Sequence, residues 1–200
     1  MNKQLSHALF QWPKPYISGS DLHFILGESA DSRQAIVKRA MQEKMLIHLR
    51  RDLFLINTEL AYDPFEIAAI MYGPSYISFE SALSLHSWIP ERVASITSAT
   101  IKRKKEFQTP IGVFSFEHIP VSSFEVGIGS TSPFIATPLK ALADMIYARM
   151  KSWSNLNDLY EDLRIDPEHL LSCDKRLLQE LIESYPSLRV KKVLKNLENF

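Results

Sequence analysis

Residues 18–56 contain two short helical patterns followed by two strand patterns, and this order limits the possible folds more than any other feature of the sequence. Ser18 with Asp21 three residues later is typical of a helix capping box, and Gly27 is suited to end the helix that they open. Residues 46–56, "LIHLRRDLFLI", carry β-friendly side chains on both sides of a charged centre, which predicts a hairpin. The order helix, helix, hairpin is that of a winged helix-turn-helix.

The second helical pattern has two unlike faces. Asp31 with Gln34 three residues on predicts the cap of a helix that runs over about 32–44. At about 100° per residue, the apolar face collects Ile36, Val37, Ala40 and Met41, and the opposite face collects Ala35, Lys38, Arg39 and Gln42. The helix therefore presents a flat, polar and cationic face away from its core.

Charge is balanced over the whole chain but not along it. The 23 Lys and Arg residues equal the 23 Asp and Glu residues, so no global field attracts nucleic acid. Residues 33–52 are nevertheless strongly cationic, because only Glu43 and Asp52 oppose Arg33, Lys38, Arg39, Lys44, Arg50 and Arg51. Binding of a polyanion must therefore rest on this local asymmetry.

The cationic face has the chemistry of a helix that reads DNA bases. Glutamine can pair with adenine and arginine with guanine in the major groove, while lysine contacts a base or a phosphate. Arginines at a hairpin tip can reach the phosphate backbone or the minor groove. The predicted DNA contacts are Gln34, Ala35, Lys38, Arg39 and Gln42 on the helix and Arg50 and Arg51 at the tip. Taken singly, each of these cations fits a solvated surface residue better than a DNA contact, whereas the motif order and the basic tip together favour DNA binding.

The rest of the chain predicts a second, larger α+β unit. A polar connection ends near Tyr62, which divides the chain into residues 1–61 and 62–200. Short helical patterns at 65–71 and 78–85, the latter capped by Ser78, precede strand patterns at 93–97, 105–108 and 113–118. Pro138 is suited to the first turn of a helix at about 139–150, and helical patterns at 156–163, 175–183 and 188–197 follow.

Motifs of enzymes, metal sites and membrane spans are missing from the sequence. Cys173 is the only cysteine, the histidines form no HExxH motif, and "GIGSTS" lacks the lysine of a phosphate-binding loop. We expect no catalytic residues, no metal and no cofactor, although an enzyme with a site built from distant residues stays open. With neither a signal-peptide pattern nor a long apolar run, we expect a cytoplasmic protein without a membrane partner.

A second basic run, Lys102, Arg103, Lys104 and Lys105, follows a strand pattern. It could contact DNA, RNA or a protein partner, or it could be an exposed loop. The sequence leaves these alternatives open.

Residues 74–120, "PSYISFESALSLHSWIPERVASITSATIKRKKEFQTPIGVFSFEHIP", resemble the AbiEi family of bacterial antitoxins. That family has a "YISxxSALxxHGxIP" segment followed by "ITxATxKRxxxFxTPxGxFxxxHI", and residues 134–149, "FIATPLKALADMIYAR", are similar to its next block. With the upstream pattern, the resemblance covers about residues 18–149. Ser87 stands where the family usually has glycine, and Met45 and Asp52 replace glycines expected around the hairpin tip.

The resemblance implies a two-part protein that is not an enzyme. Its winged helix-turn-helix would bind inverted repeats in double-stranded DNA at its own promoter and repress its operon. Residues 62–200 would counter a nucleotidyltransferase-type toxin without a stable complex, as in type IV toxin-antitoxin systems. The alternatives are a protein-interaction module whose winged helix no longer binds DNA and a stand-alone transcriptional regulator without antitoxin activity.

Overall fold

A computed structural model describes residues 3–27, 29–57, 61–91, 93–149, 153 and 161–198, and it shows an α+β protein with two separate sheets. The elements of the N-terminal part are α1 (Lys3–Phe10), β1 (Tyr16–Ser18), α2 (Gly19–Leu26), α3 (Ala30–Gln42), β2 (Leu46–Arg50) and β3 (Leu53–Ile56). The three strands form an antiparallel sheet in the order β1-β3-β2, with α3 and the β2-β3 hairpin adjacent in sequence.

Local signals set the ends of the first helices. The capping box predicted at Ser18 and Asp21 is confirmed, because the Ser18 side chain accepts from the Asp21 amide and the Asp21 carboxylate accepts from the Ser18 amide. Gly27 ends α2 with φ +59°, a left-handed conformation that favours glycine. The cap predicted at Asp31 is wrong. Ser29 caps α3 instead and accepts from the Ser32 amide, which places Asp31 inside the first turn.

The elements of the second part are α4 (Pro64–Met71), β4 (Ser75–Ile77), α5 (Phe79–Leu85), β5 (Ser95–Thr100), β6 (Lys105–Thr109), β7 (Gly112–His118), a 3₁₀ turn (Val121–Ser123), α6 (Pro138–Ala148), α7 (Pro167–Leu171), α8 (Lys175–Ser184) and α9 (Leu188–Glu198). The sheet order is β4-β5-β7-β6, with β5 parallel to β7 and the other pairs antiparallel. The strand predicted over 93–97 lies at Ser95–Thr100, and most of the helix predicted over 156–163 falls outside the described residues.

Helices α5 and α6 pack together, α5 also contacts β5, and α8 and α9 pack on α6. Pro138 occupies the first turn of α6 as predicted, with Thr137 as the cap. Ser78 stands at the predicted cap position of α5, but its hydroxyl does not cap the helix. It donates to Asp144 Oδ2 at 2.7 Å instead, so this serine ties β4 to α6. Within the described residues, no helix is long and apolar enough to cross a membrane.

Candidate nucleic-acid interface

Helix α3 has the two faces that its sequence predicts. Ala40 is buried, and Ile36, Val37 and Met41 are half-buried against the smaller of two apolar clusters. The outward face is exposed and consists of Gln34, Ala35, Lys38, Arg39 and Gln42. The periodicity was sufficient here because one apolar stripe of a helix must meet a core, which leaves the opposite stripe to solvent.

A groove of about 880 Å³ lies between α3 and the β2-β3 hairpin. Its floor is apolar and includes Leu22, Val37, Met41 and Phe54, whereas its walls are polar and charged. The wall from α3 is formed by Arg33, Gln34 and Lys38, and the wall from the hairpin by His48, Arg51 and Asp52. Among the described residues that line the groove, three guanidinium or ammonium groups and one carboxylate give a cationic excess, which favours an anion.

The sequence pattern predicts a single outward face on α3, but the residues of that face line two different surfaces. Gln34 and Lys38 line the groove toward the hairpin. Ala35 and Arg39 line a separate hollow of about 260 Å³ on the other side of the helix, together with Leu5 of α1. A ligand that follows the groove therefore meets Gln34 and Lys38 directly, whereas Ala35 and Arg39 lie on the side of α3 that faces away from the groove.

The two tip arginines differ in their surroundings. The side chain of Arg51 is 96% exposed and lies 3.6 Å from the Asp52 carboxylate. Asp52 adopts φ +58°, which an aspartate tolerates at a tight turn, and its carbonyl accepts from the Gly19 amide. Arg50 is half-buried, and its guanidinium donates to the carbonyls of Arg51 at 2.9 Å and Ile70 at 3.5 Å. Only Arg51 projects freely from the tip.

Two groove residues, Arg33 and His48, are missing from the sequence-based prediction. Arg33 lies at the border between the two faces of α3, and its guanidinium is within hydrogen-bond distance of His23 Nδ1. His48 is exposed on β2, with its ring centroid 5.6 Å from that of Phe54. The signal was present, because His48 stands between apolar Ile47 and Leu49 and strand alternation sends it to the opposite face.

The second basic run is largely occupied by contacts within the protein. Lys102 Nζ donates to the Gly73 carbonyl and lies 5.3 Å from the Tyr72 ring centroid. Lys104 Nζ is 2.7 Å from Glu117 Oε1, and Lys105 Nζ lies over the rings of Tyr72 and Phe107. Within the described part of the chain, Arg103 is the member of the run whose side chain has no assigned partner.

A charged pair lies in the middle of the larger core. The side chains of Lys140 and Asp144 are both 0% exposed, and Nζ lies 2.9 Å from Oδ1. Nζ also donates to the Ser123 carbonyl and the Tyr185 hydroxyl, both at 2.7 Å. Burial lowers the pKa of Lys140, and the carboxylate beside it opposes that shift.

The acceptors of Asp144 are also in use. Its Oδ2 accepts from the hydroxyls of Tyr76 and Ser78, and its Oδ1 accepts from Tyr185 as well as from Lys140. An ammonium has three donors and a carboxylate about four acceptor positions, so both groups are saturated by the protein itself. This pair has no hydrogen-bonding capacity left for a ligand, which indicates a structural role.

Most polar side chains of the AbiEi-like motif serve the fold in the same way. Ser81 and Thr97 join α5 to β5 by reciprocal side chain to backbone bonds. Other motif residues bond to backbone carbonyls across element boundaries: His86 to Ala136, Thr100 to Pro74, Lys102 to Gly73, Thr109 to Gly112 and His118 to Lys102. Within the described residues, no group of three or more His, Cys, Asp or Glu side chains is arranged to hold a metal.

No protein-family model matches this chain, and no curated protein matches it. Its fold is similar to the crystal structure of the RV2827C protein from Mycobacterium tuberculosis, with a TM-score of 0.60 and 15% sequence identity. The match covers 96% of this chain and 75% of that protein. At this identity the likeness shows a shared α+β fold and leaves function to the site itself.

Proposed function

We propose that this protein is a sequence-specific DNA-binding protein whose residues 1–61 form a winged helix-turn-helix. The observation that supports the proposal most is the groove between α3 and the hairpin, with Arg33, Lys38 and Arg51 on its walls. Helix α3 has 13 residues and is therefore about 20 Å long, a suitable size for a recognition helix in the major groove. In this arrangement the hairpin is the wing and lies along the adjacent phosphate backbone.

Base reading is assigned to the exposed residues of α3. Gln34 and Lys38 line the groove. Arg39 and Gln42 are exposed on α3 outside the groove lining, and base contacts are assigned to them because arginine pairs with guanine and glutamine with adenine. Arg51 is the wing residue with an exposed guanidinium, so its contribution to affinity is electrostatic and falls with salt. Because the chain has no net charge, these local cations supply the attraction.

We further propose that the protein is an AbiEi-like antitoxin that represses its own operon and counters a nucleotidyltransferase-type toxin. This part rests on the resemblance of residues 74–149 and on the α+β character of the second unit. Antitoxin activity is assigned to residues 62–200, without catalysis and without a stable toxin complex. Arg103, whose side chain has no partner within the described part of the chain, is the residue of the second basic run best placed to meet a macromolecule.

Fluorescence anisotropy tests DNA binding. The full-length protein is titrated onto the duplex upstream of its own gene and onto a scrambled duplex, at about 50 and 200 mM salt. We expect preference for the native duplex, a steep loss of affinity with salt, and roughly a 5- to 150-fold loss in Lys38→Ala. Lys175→Ala, which removes an exposed cation from α8, is the matched control and should bind normally. Salt-insensitive binding, or equal affinity for both duplexes, contradicts the assignment.

Antitoxin activity is tested separately. The protein is co-expressed with a nucleotidyltransferase encoded next to its gene, and growth is followed. Wild type and Lys38→Ala should both restore growth, because the groove belongs to the first unit, while only wild type should repress the promoter. If neither protein restores growth, the antitoxin part of the proposal is wrong, and the remaining function is that of a transcriptional regulator.

A further inference from the structure

The β2-β3 hairpin belongs to two cores at once. Leu46, Phe54 and Ile56 are buried in the smaller cluster with α1, α2 and α3. Leu49, Leu53 and Leu55, each at most 4% exposed, are buried in the larger cluster that contains the apolar side chains of the second unit. Strand β2 also contacts β6. The hairpin is therefore fixed from its inner side by residues 62–200, beyond the predicted boundary at Tyr62.

Arg50 adds a polar connection at the end of this contact. Its Nη2 donates to the carbonyl of Ile70, which lies in the last turn of α4. Carbonyls in a last turn lack partners within their own helix, and the partial negative charge there favours a cation. Helix α4 has no basic residue of its own in that turn. Arg50 of the hairpin therefore supplies the positive charge at the C-terminal end of α4 that the sequence of α4 lacks.

The remaining atoms of the Arg50 guanidinium also face the protein. Nη1 donates to the Arg51 carbonyl at 2.9 Å, which braces the turn that carries Arg51. Nε is buried, and no acceptor for it lies within the described residues. Nη1 and Nη2 each use one N–H donor in these bonds and Nε is covered, so fewer donors remain for the fork that a phosphate contact uses. This arrangement differs from that of Arg51, whose side chain is 96% exposed.

We infer that Arg50 is a positioning residue, which locks the hairpin tip to α4 so that Arg51 stands at a fixed distance from α3. The inference rests on the proposed DNA-binding function and revises the sequence-based assignment of Arg50 as a direct DNA contact. The second unit then contributes to DNA binding, because its helix α4 fixes the position of the hairpin that forms one wall of the groove. The rival reading is that Arg50 turns outward and contacts phosphate in the complex.

A double-mutant cycle in the full-length protein separates these two roles. Arg50→Ala, Arg51→Ala and the double variant are titrated onto the operator duplex at several salt concentrations. If Arg50 acts through Arg51, the affinity lost in the double variant is clearly smaller than the product of the two single losses. If both arginines contact phosphate, the losses multiply and the salt slope falls by about two in the double variant. Multiplied losses with that change of slope overturn the inference.

Arg50→Lys provides a second, conservative variant. Lysine keeps the charge for a phosphate but lacks the planar fork that reaches the Ile70 and Arg51 carbonyls together. We expect Arg50→Lys to bind as weakly as Arg50→Ala. Affinity close to wild type in Arg50→Lys indicates a phosphate contact and contradicts the positioning role.

Amide hydrogen exchange on the DNA-free protein tests the lock without any ligand. Arg50→Ala should accelerate exchange in the β2-β3 hairpin about tenfold, the size expected when bonds to a charged donor are lost, and Arg51→Ala should not. Unchanged exchange at Leu142, in the middle of α6, shows that Arg50→Ala remains folded. If the protein binds no DNA, the proposed function fails, but this experiment still decides the lock. Equal exchange in wild type and Arg50→Ala overturns it.

Discussion

Replacing Lys140 by methionine removes the cation from a fully buried ion pair. The three hydrogen bonds of Nζ are lost, and the Asp144 carboxyl group is left in the core without its cationic partner. Removing one partner of a buried pair typically destabilises a protein by about 3–5 kcal/mol. Asp144 retains the hydroxyls of Tyr76, Ser78 and Tyr185 as donors, so we expect the lower end, about 3 kcal/mol.

Urea unfolding followed by circular dichroism measures this loss, with the free energy of unfolding taken from linear extrapolation. The chain supplies a matched control, since Arg176 and Glu180 are also an i,i+4 pair but have side chains that are 89% and 50% exposed. Arg176→Ala should cost at most about 0.5 kcal/mol, because exposed pairs are screened by solvent. A loss below about 1 kcal/mol in Lys140→Met would refute the account of a saturated buried pair.

Three further changes test other parts of the structure. Burial, and then the Asp144 charge, raise the pKa of the Tyr185 phenol well above 10.0. The stability that this shift contributes is complete below about pH 10 and is lost as the pH rises through the folded pKa. Tyr185→Phe should lower the free energy of unfolding at neutral pH and reduce its decrease at alkaline pH, as measured by urea unfolding at several pH values. Ser18→Ala should cost about 1 kcal/mol by removing the α2 cap, measured by thermal unfolding against Ser32→Ala, which should be near neutral. Gly127→Ala should destabilise the protein more than Gly27→Ala in the same assay. Both glycines have positive φ, but only a Cβ at position 127 would lie 3.0–3.1 Å from neighbouring side chains.

The N-terminal elements were predictable because each carries its own local signal. The periods of about 3.6 and 2 residues mark α3 and the hairpin, and the Ser18 box and Gly27 mark the ends of α2. Strands β1 and β4 were missed because each has only three residues, which is too short for alternation to show. The α3 cap was misplaced because Ser29 and Asp31 both suit that position, and only the chain geometry chooses between them.

The candidate site was predictable only as far as it depends on a single element. The outward face of α3 follows from its own period, and so does the position of His48 on β2. The difference between Arg50 and Arg51 does not follow from one element, since it depends on the carbonyl of Ile70, which is 20 residues away in the sequence and belongs to α4. Adjacent arginines at a tip have the same chemistry in sequence, and tertiary contact alone makes one of them structural.

The motif within residues 74–120 has a related consequence for function. Its serines, threonines and histidines bond to backbone or to buried partners, so the spacing that made the motif recognisable records the requirements of this fold. Groups that already form hydrogen bonds inside a protein have less capacity left to bind a partner. The similarity to the RV2827C protein, at a TM-score of 0.60 and 15% identity, shows a shared fold. Under the proposed function, specificity is therefore assigned to exposed residues outside the internal network, namely the walls of the α3 groove and Arg103.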